Sequence, residues 1–409
     1  MYLKLNESIY LCDGVYGGII IDCTRGSVFG LDAEAWIMIN ECLDGKPINE
    51  VNDSCKEVID FLLSRNLATQ TEVFYQSKKI PTPSDDIPPL TTVWFELRSA
   101  CNLHCIHCYN ESTPNSDNTN SLLDINDWLN IAVQLKPYSI RSLILIGGEP
   151  LLFQGIDHLI PELRKILPDV SIVLYSNLTL IDEKMIEILK KSNVSVATSI
   201  YSDNGDVHDS ITRVKGSFEK TVTAVKRLID NGVKVTANSV LMKTNEKCKT
   251  KTNNFICALT GKKGKQDVIR ITDNNLEYLL PKENDNPHLI SGLDSFSSTI
   301  IKSLQRNVSG HSCWQGKINI SCNGFVTPCI MWHDDTDSIP CLKNHELKEI
   351  LNDYIIPHFW LLSRDKIEVC NRCEYRYIYA LTADQSLKIF LLAELYVYII
   401  LIPKNGIVI

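Results

Sequence analysis

The sequence predicts an α/β fold built on a parallel sheet, from two observations. Short β-rich runs recur at 92–97, 142–146, 170–175, 194–199, 233–241 and 268–271. Between them lie amphipathic stretches with apolar residues at helical spacing, such as 125–135 and 218–231. Six βα units of this kind imply a parallel sheet whose active site lies at the carboxyl ends of its strands, where the loops after them converge. The 409 residues, 44% hydrophobic and 22% charged, are enough for a large core and two or three domains.

Residues 1–75 read as a separate small unit. Apolar runs at 9–15 and 18–23 precede a turn at Thr24-Arg25-Gly26, and a third follows at 28–31. Asp32 is placed to cap a helix through Trp36 to Leu43, which stops at Asp44-Gly45, and a second helix is expected over 57–64. A few strands plus helices suggest a winged-helix-like domain. Residues 76–91, with Pro81, Pro83, Pro88 and Pro89, read as a linker before the core at 92–285. Residues 286–377 lose the βα rhythm and are cysteine-rich, which suggests a further domain, and an apolar tail covers 378–409.

The formal charge of −8 leaves no electrostatic footprint for nucleic acid. Residues 1–10 lack a basic segment followed by an apolar one, so a cytoplasmic location is expected. The apolar run at 389–402 is shorter than a bilayer span and contains Glu394, so no membrane association is expected. Fifteen cysteines, an odd number with several in short-spaced groups, argue for metal or cluster ligation over disulfides.

The most informative group is Cys101-Asn-Leu-His-Cys105-Ile-His-Cys108, soon after the first core strand. Three thiolates hold three irons of a [4Fe-4S] cubane, and the fourth iron stays open to another ligand. A zinc site is the alternative, although a zinc ribbon wants paired C-x2-C knuckles. After the second strand comes Gly147-Gly148-Glu149-Pro150, where glycines permit close backbone approach and a carboxylate accepts from an ammonium.

Together the two motifs resemble the radical S-adenosylmethionine superfamily, and with the βα pattern they point to a partial (β/α)6 barrel of TIM type. The resemblance implies a [4Fe-4S] cluster on Cys101, Cys105 and Cys108 whose open iron binds S-adenosylmethionine, with Gly147, Gly148, Glu149 and Pro150 beside its ammonium. It also implies a 5′-deoxyadenosyl radical that abstracts a substrate hydrogen, and a one-electron reductase such as flavodoxin or ferredoxin. His107 before Cys108-Tyr109 is similar to the peptide-modifying members. In those members Ser176-Asn177, Ser199 and the segment His208 to Arg213 correspond to ribose- and carboxylate-contacting elements. Asn177, Ser199 and Arg213 are accordingly candidate cofactor contacts, with Asn238 of similar status.

A second cysteine field comprises Cys313, Cys322, Gly324-x4-Cys329 and Cys370-Asn-Arg-Cys373. It resembles the start of the SPASM extension, which implies one or two auxiliary [4Fe-4S] clusters; zinc is the alternative for the C-x2-C pair. The family pattern would continue with a cysteine where this chain has Tyr379. The pairs Tyr379-Ala380, Thr382-Ala383 and Tyr396-Val397 all permit cysteine codons in another frame, so the tail from about residue 378 is expected to be frameshifted, a natural divergent tail being the alternative. Cys12, Cys23, Cys42, Cys55, Cys248, Cys257 and Cys341 fit no pattern and are expected to be ordinary thiols.

The amino-terminal unit, with Gly26-Ser-Val-Phe-Gly30-Leu31-Asp32 and Leu43-Asp-Gly45, resembles the leader-peptide-recognition (PqqD-like) element. Such a unit adds an extended leader as a strand to a sheet edge. The whole resemblance covers residues 1–377 and implies a radical SAM/SPASM maturase of a ribosomally made precursor peptide, forming a thioether or carbon-carbon cross-link or an epimer. A sulfatase-type formylglycine maturase and a catalytically impaired leader-binding remnant are the alternatives.

Overall fold

The computed structural model describes residues 1–76, 86–117, 122–269, 276–279, 281, 304, 307–310, 314–331, 339–353, 356–366, 371–373 and 376–377. They belong to two compact units, one of residues 1–86, 286–312 and 361–409, the other of residues 87–285 and 313–360. Cys313, Cys370, residues 270–271 of the sixth expected strand and the tail 378–409 lie outside the described residues. Among the described residues no helix is long and apolar enough to cross a membrane.

The first unit begins with β1 (Tyr2–Leu5), β2 (Ile9–Gly14), β3 (Gly17–Asp22) and β4 (Ser27–Asp32), then α1 (Ala33–Leu43), α2 (Asp53–Ser64) and β5 (Ala68–Thr71). β2, β3 and β4 form an antiparallel sheet in that order, while β1 pairs antiparallel with β5. The pair β1–β5 was not legible in the sequence. α1 starts where expected, with the Asp32 carboxylate accepting the Ala35 N–H at 2.8 Å. α2 starts four residues earlier than expected because Asn52 accepts the Cys55 N–H at 2.8 Å, an N-cap signal that the apolar pattern alone does not carry.

β3 is buried along its whole length, so its two sets of alternating side chains meet two cores. Ile20 joins Ile39, Leu43, Ile59 and Leu62 under the helices. Ile19 and Ile21 pack instead with Cys12, Leu304, Val308 and Tyr377. Arg376 secures this side by donating to the Asp13 carboxylate at 2.9 Å, to the Asp365 carboxylate at 2.7 Å and to the Cys373 carbonyl at 3.1 Å.

The second unit contains β6 (Thr92–Glu96), α3 (Ile125–Gln134), β7 (Ser142–Ile146), α4 (Ile156–Ile166), β8 (Ser171–Tyr175), α5 (Glu183–Lys191) and β9 (Ser195–Ser199). It continues with α6 (Gly205–Thr212), α7 (Ser217–Asp230), β10 (Val235–Leu241), α8 (Lys249–Thr260), β11 (Gln266–Val268), β12 (Lys317–Ile320), β13 (Val326–Thr327), α9 (Leu347–Asp353) and α10 (Ile356–Trp360). The sheet order is β11-β10-β9-β8-β7-β6-β12-β13, parallel throughout except for β13. The expected α/β fold is therefore present, with its six sequential parallel strands. Among the described strands the sheet is open between β11 and β13, as in a partial barrel.

Alternate strand residues Val93, Phe95, Leu143, Leu145, Ile172 and Leu174 are buried in one core with Trp128, Leu159, Leu163, Ile186, Leu189 and Leu228 of the helices. Each such side chain contributes roughly 1.5–3 kcal/mol on burial. The strand repeat thus makes a rigid base that delivers the loops to one end.

The described part of 286–377 is divided differently from the single domain that its composition suggested. Residues 313–360 group with the sheet and 361–377 with the amino-terminal unit. The physical reason for the first is β12. Its Ile318 and Ile320 are fully buried in the sheet core, it pairs with β6 from Lys317↔Thr92 to Ile320↔Phe95, and the Trp360 indole donates to the Lys317 carbonyl at 2.8 Å.

Candidate functional site

The loop leaving β6 carries Cys101, Cys105 and Cys108, and neighbouring loops hold it at several points. The Asp117 carboxylate accepts the N–H groups of Ser99 and Ala100 at 2.8 and 3.0 Å and pairs with Arg98 at 2.6 Å. The N–H groups of His104 and Ile106 donate to the carbonyls of Thr212 and Ile211 at 3.0 and 2.9 Å. The end of α6 is therefore part of the cysteine loop's support.

The Gly147-Gly148-Glu149-Pro150 loop after β7 lies directly on the same segment. Gly148 N–H donates to the Arg98 carbonyl at 2.7 Å and Glu149 N–H to the Ala100 carbonyl at 2.9 Å. A Cβ on Gly147 would overlap the Arg98 carbonyl, and one on Gly148 the carbonyls of Ser99 and Ala100. Gly147 also has φ 146°, which disfavours other residues. The glycines thus serve the contact between two loops of the protein.

Glu149 is wholly buried, and its carboxylate accepts from Ser176 Oγ at 2.7 Å, Asn177 N at 2.8 Å and Leu151 N at 3.0 Å. Burial raises its pKa, while these three donors act in the opposite direction. Its carboxylate joins the loops after β7 and β8, a role the motif did not reveal. Pro150 is buried at the start of a short 3-10 turn.

Asn177 also faces the cysteines. Its Nδ2 donates to Asn102 Oδ1 at 2.9 Å and contacts Cys101 Sγ at 3.8 Å, and its Oδ1 accepts from Thr179. Leu103 N–H contacts Cys101 Sγ at 3.4 Å. Ser199 is the last residue of β9, two positions before Tyr201. Arg213 stands apart: it is exposed, in the left-handed C-cap position after α6. Asn238 accepts the Lys265 N–H at 3.1 Å.

Burial pushes the Cys101 thiol up to about 11 and the Cys105 thiol up to about 12, with neighbouring thiols adding to both shifts. A positively charged partner is what makes thiolates of such groups at neutral pH. The donor set fits a cubane: three sulfurs on one loop, that of Cys101 already receiving N–H contacts of the kind that stabilise cluster thiolates. Beside them, burial pushes His107 down to about 4, so its ring is neutral. Its buried Nδ1 has no hydrogen-bond partner among the described residues, and the ring meets Tyr201 edge-on at 4.8 Å between centroids. A neutral plane with a spare polar atom next to Cys108 fits a nucleoside-bearing cofactor.

Residues 96–254 match the model of the Radical SAM superfamily. This chain carries a radical SAM domain. The superfamily uses a [4Fe-4S] cluster and S-adenosylmethionine, in agreement with the donor set above. Among curated relatives, the antilisterial bacteriocin subtilosin biosynthesis protein AlbA of Bacillus subtilis (strain 168) is 33% identical over 152 residues, 37% of this chain and 33% of AlbA. The sporulation killing factor maturation protein SkfB of the same strain is 28% identical over 152 residues, 37% of this chain and 35% of SkfB. The chain thus spans about a third of the length of either. GTP 3′,8-cyclase of Clostridium perfringens (strain 13 / Type A) is 24% identical over 290 residues, 63% of this chain and 87% of the cyclase.

The crystal structure of SuiB from Streptococcus suis has a similar fold, with a TM-score of 0.57 at 17% identity, covering 91% of this chain and 94% of SuiB. SuiB has also been solved bound to S-adenosylmethionine and to the precursor peptide SuiA, with TM-scores of 0.55 and 0.51.

The second cysteine field is less concentrated. Cys322 is buried with its Sγ 3.1 Å from Ser99 Oγ, two residues before Cys101. Cys329 Sγ accepts from Met331 N at 3.4 Å, and Cys341 Sγ donates to the Asn323 carbonyl at 3.5 Å. Cys373 belongs to the other unit, beside Arg376. Among the described residues no three His, Cys, Asp or Glu side chains are grouped to hold a single metal ion. In the amino-terminal unit Cys42 and Cys55 meet at 3.9 Å, both buried. The support of the cysteine loop by the Asn177 side chain and by the carbonyls of Ile211 and Thr212 was missed by sequence reasoning; the only signal was their place just after strand β8 and at the end of α6.

Proposed function

We propose that this chain is a radical S-adenosylmethionine enzyme that modifies a ribosomally made precursor peptide by hydrogen abstraction, forming a thioether or carbon-carbon cross-link. The observation that carries this reading is the cysteine loop after β6 locked against the Gly147–Gly148 loop after β7, at the strand ends where such a sheet keeps its chemistry. Cys101, Cys105 and Cys108 would hold the cluster, with His107 beside the nucleoside of S-adenosylmethionine. When bound, cluster and cofactor supply a 5′-deoxyadenosyl radical able to take a hydrogen from an unactivated carbon. This chain's residues fix the thiolates, align their loop and exclude water from it. A flavodoxin or ferredoxin is the proposed source of the electron.

Two features support a peptide substrate. Relatives named for bacteriocin biosynthesis and killing-factor maturation are similar to this chain over 152 residues each, and the SuiB likeness covers 91% of it. Within that unit β2 and β4 each pair on one side only among the described strands, which suits addition of a leader as an extra strand. Cys322, Cys329 and Cys373, together with Cys313 and Cys370, are the proposed auxiliary-cluster ligands. The frameshift reading of the tail remains a proposal that sequencing the gene tests directly.

The test is anaerobic reconstitution with iron and sulfide, followed by reduction in the presence of S-adenosylmethionine. Formation of 5′-deoxyadenosine is expected, together with loss of hydrogen mass from a candidate peptide encoded beside the gene. No 5′-deoxyadenosine from fully iron-loaded protein sinks the enzyme reading and leaves the leader-binding remnant. Cofactor cleavage without any mass change on candidate peptides argues against the peptide substrate.

A further inference from the structure

We propose that Cys42 and Cys55 are a redox pair, two thiols placed to close reversibly into a disulfide that clips α1 to α2 when the surroundings turn oxidising. Neither residue belongs to a cysteine motif, and no cluster assignment above uses them. The inference therefore stands apart from the reading of Cys101, Cys105 and Cys108.

The geometry is a contact between two helix ends. Cys42 lies in the last turn of α1 and Cys55 in the first turn of α2, and their Sγ atoms meet at 3.9 Å. Both are wholly buried, in a core shared with Ile39, Leu43, Val51 and Ile59. Their backbones are held independently of the sulfurs. At the end of α1, Gly45 N–H donates to the Cys42 carbonyl at 3.3 Å and Lys46 N–H to the Glu41 carbonyl at 2.9 Å. At the start of α2, Cys55 N–H donates to the Asn52 side chain at 2.8 Å. The two sulfurs are thus brought together by helix ends that their own turn and cap already fix.

A disulfide places its sulfurs about 2.05 Å apart, so closure takes a side-chain rotation and a small adjustment between the helices. The oxidant is an external disulfide such as oxidised glutathione. Burial pushes the Cys42 thiol up to about 12, so exchange starts at Cys55. The Cys55 sulfur attacks the external disulfide and expels one glutathione; Cys42 then attacks the mixed disulfide and expels the other. Two electrons pass from the protein thiols to the external disulfide, and their two protons end on the released glutathione thiols. Burial makes the reaction slow, and the contact makes its product specific. The bond closes a loop between residues 13 apart in sequence, which restricts the unfolded chain and favours the folded unit.

The test uses the full chain, purified anaerobically and equilibrated under native conditions with glutathione couples, then quenched in acid, unfolded, alkylated with iodoacetamide and digested with trypsin. Residues 26–56 come away as one peptide, because Lys46 precedes Pro47, and Cys42 and Cys55 are the cysteines it contains. In oxidising couples this peptide is expected to carry no label and to lack two hydrogens; after treatment with dithiothreitol it should carry a label on each cysteine. Peptide 5–25 is the comparison. Its Cys12 stands opposite Ile19 while Cys23 bonds to Ser8, so the two occupy different ladder positions and both should stay labelled. The unfolding midpoint of the oxidised chain is expected to rise by at least about 4 °C, and Cys55→Ser should remove that response. Full labelling of peptide 26–56 in every couple, or glutathione adducts in place of the internal bond, overturns the proposal. Equal loss of label from peptide 5–25 overturns it as well, since oxidation would then disregard the contact. An oxidised chain no more stable than the reduced one overturns the clip.

Discussion

The two cysteine fields differ in how the chain assembles them. Cys101, Cys105 and Cys108 occupy one loop of eight residues, which backbone bonds from Gly148, Glu149, Ile211 and Thr212 hold from outside. Cys322 and Cys329 sit in separate turns, the first against Ser99 of a distant loop and the second accepting from Met331 N, and Cys373 lies in the other unit. The contiguous field is built by its neighbours as a cradle; the dispersed one needs its partners brought from distant parts of the chain. That difference explains why one motif is specific in sequence and the other only suggestive.

The largest effect expected from breaking the first field is that of Cys105→Ser, which should abolish cofactor-responsive cluster and reduce 5′-deoxyadenosine to background under anaerobic assay. A Gly148→Ala substitution should come next. Its Cβ meets two backbone carbonyls that have little room to move, at a cost of roughly 1–3 kcal/mol in denaturant unfolding, with reduced iron loading although no ligand is touched. Normal stability and loading in this variant would show that the two loops are not coupled.

A pH test sharpens the comparison further. Burial pushes His208 down to about 4 from its ordinary 6.5. The unfolded imidazole takes up its proton near 6.5 and the folded one only near 4, so stability is full above 6.5 and falls as pH drops through that window. The expected loss at pH 5 is about 2 kcal/mol, measured by urea unfolding, and His208→Gln should flatten the slope. The smallest effect on chemistry is expected from Cys329→Ala, which should lower total iron while leaving cofactor cleavage near wild type. A proportionate loss of cleavage would mean that the two fields act as one.

Much of this was legible in the residues. The runs at 142–146, 171–175 and 195–199 were found within one residue, because β-branched and aliphatic runs stand out between amphipathic helices. Asp32 declared the start of α1 by its side chain. The pair β1–β5 and strand β12 escaped notice because four-residue strands defined by partners more than sixty positions away carry almost no local signal. The site divides in the same way. The spacing of the cysteines was readable, whereas the duties of Glu149 and Asn177 within the protein were not, since both depend on which loop the fold brings beside them.

The position of β12 has a consequence for how the protein is made. β6 finds β7 within some fifty residues, but its other neighbour arrives only once residues 317–320 are available, and Thr91 Oγ1 reaches the Gly316 carbonyl across a sequence separation of 225. The strand that delivers the cysteine loop is therefore half-flanked while most of the chain is being synthesised. Ser99 likewise gains its contact with Cys322 only at that stage. Such long-range closure is slow, so the last supports of this loop arrive at the end of folding, when the final parallel strand docks.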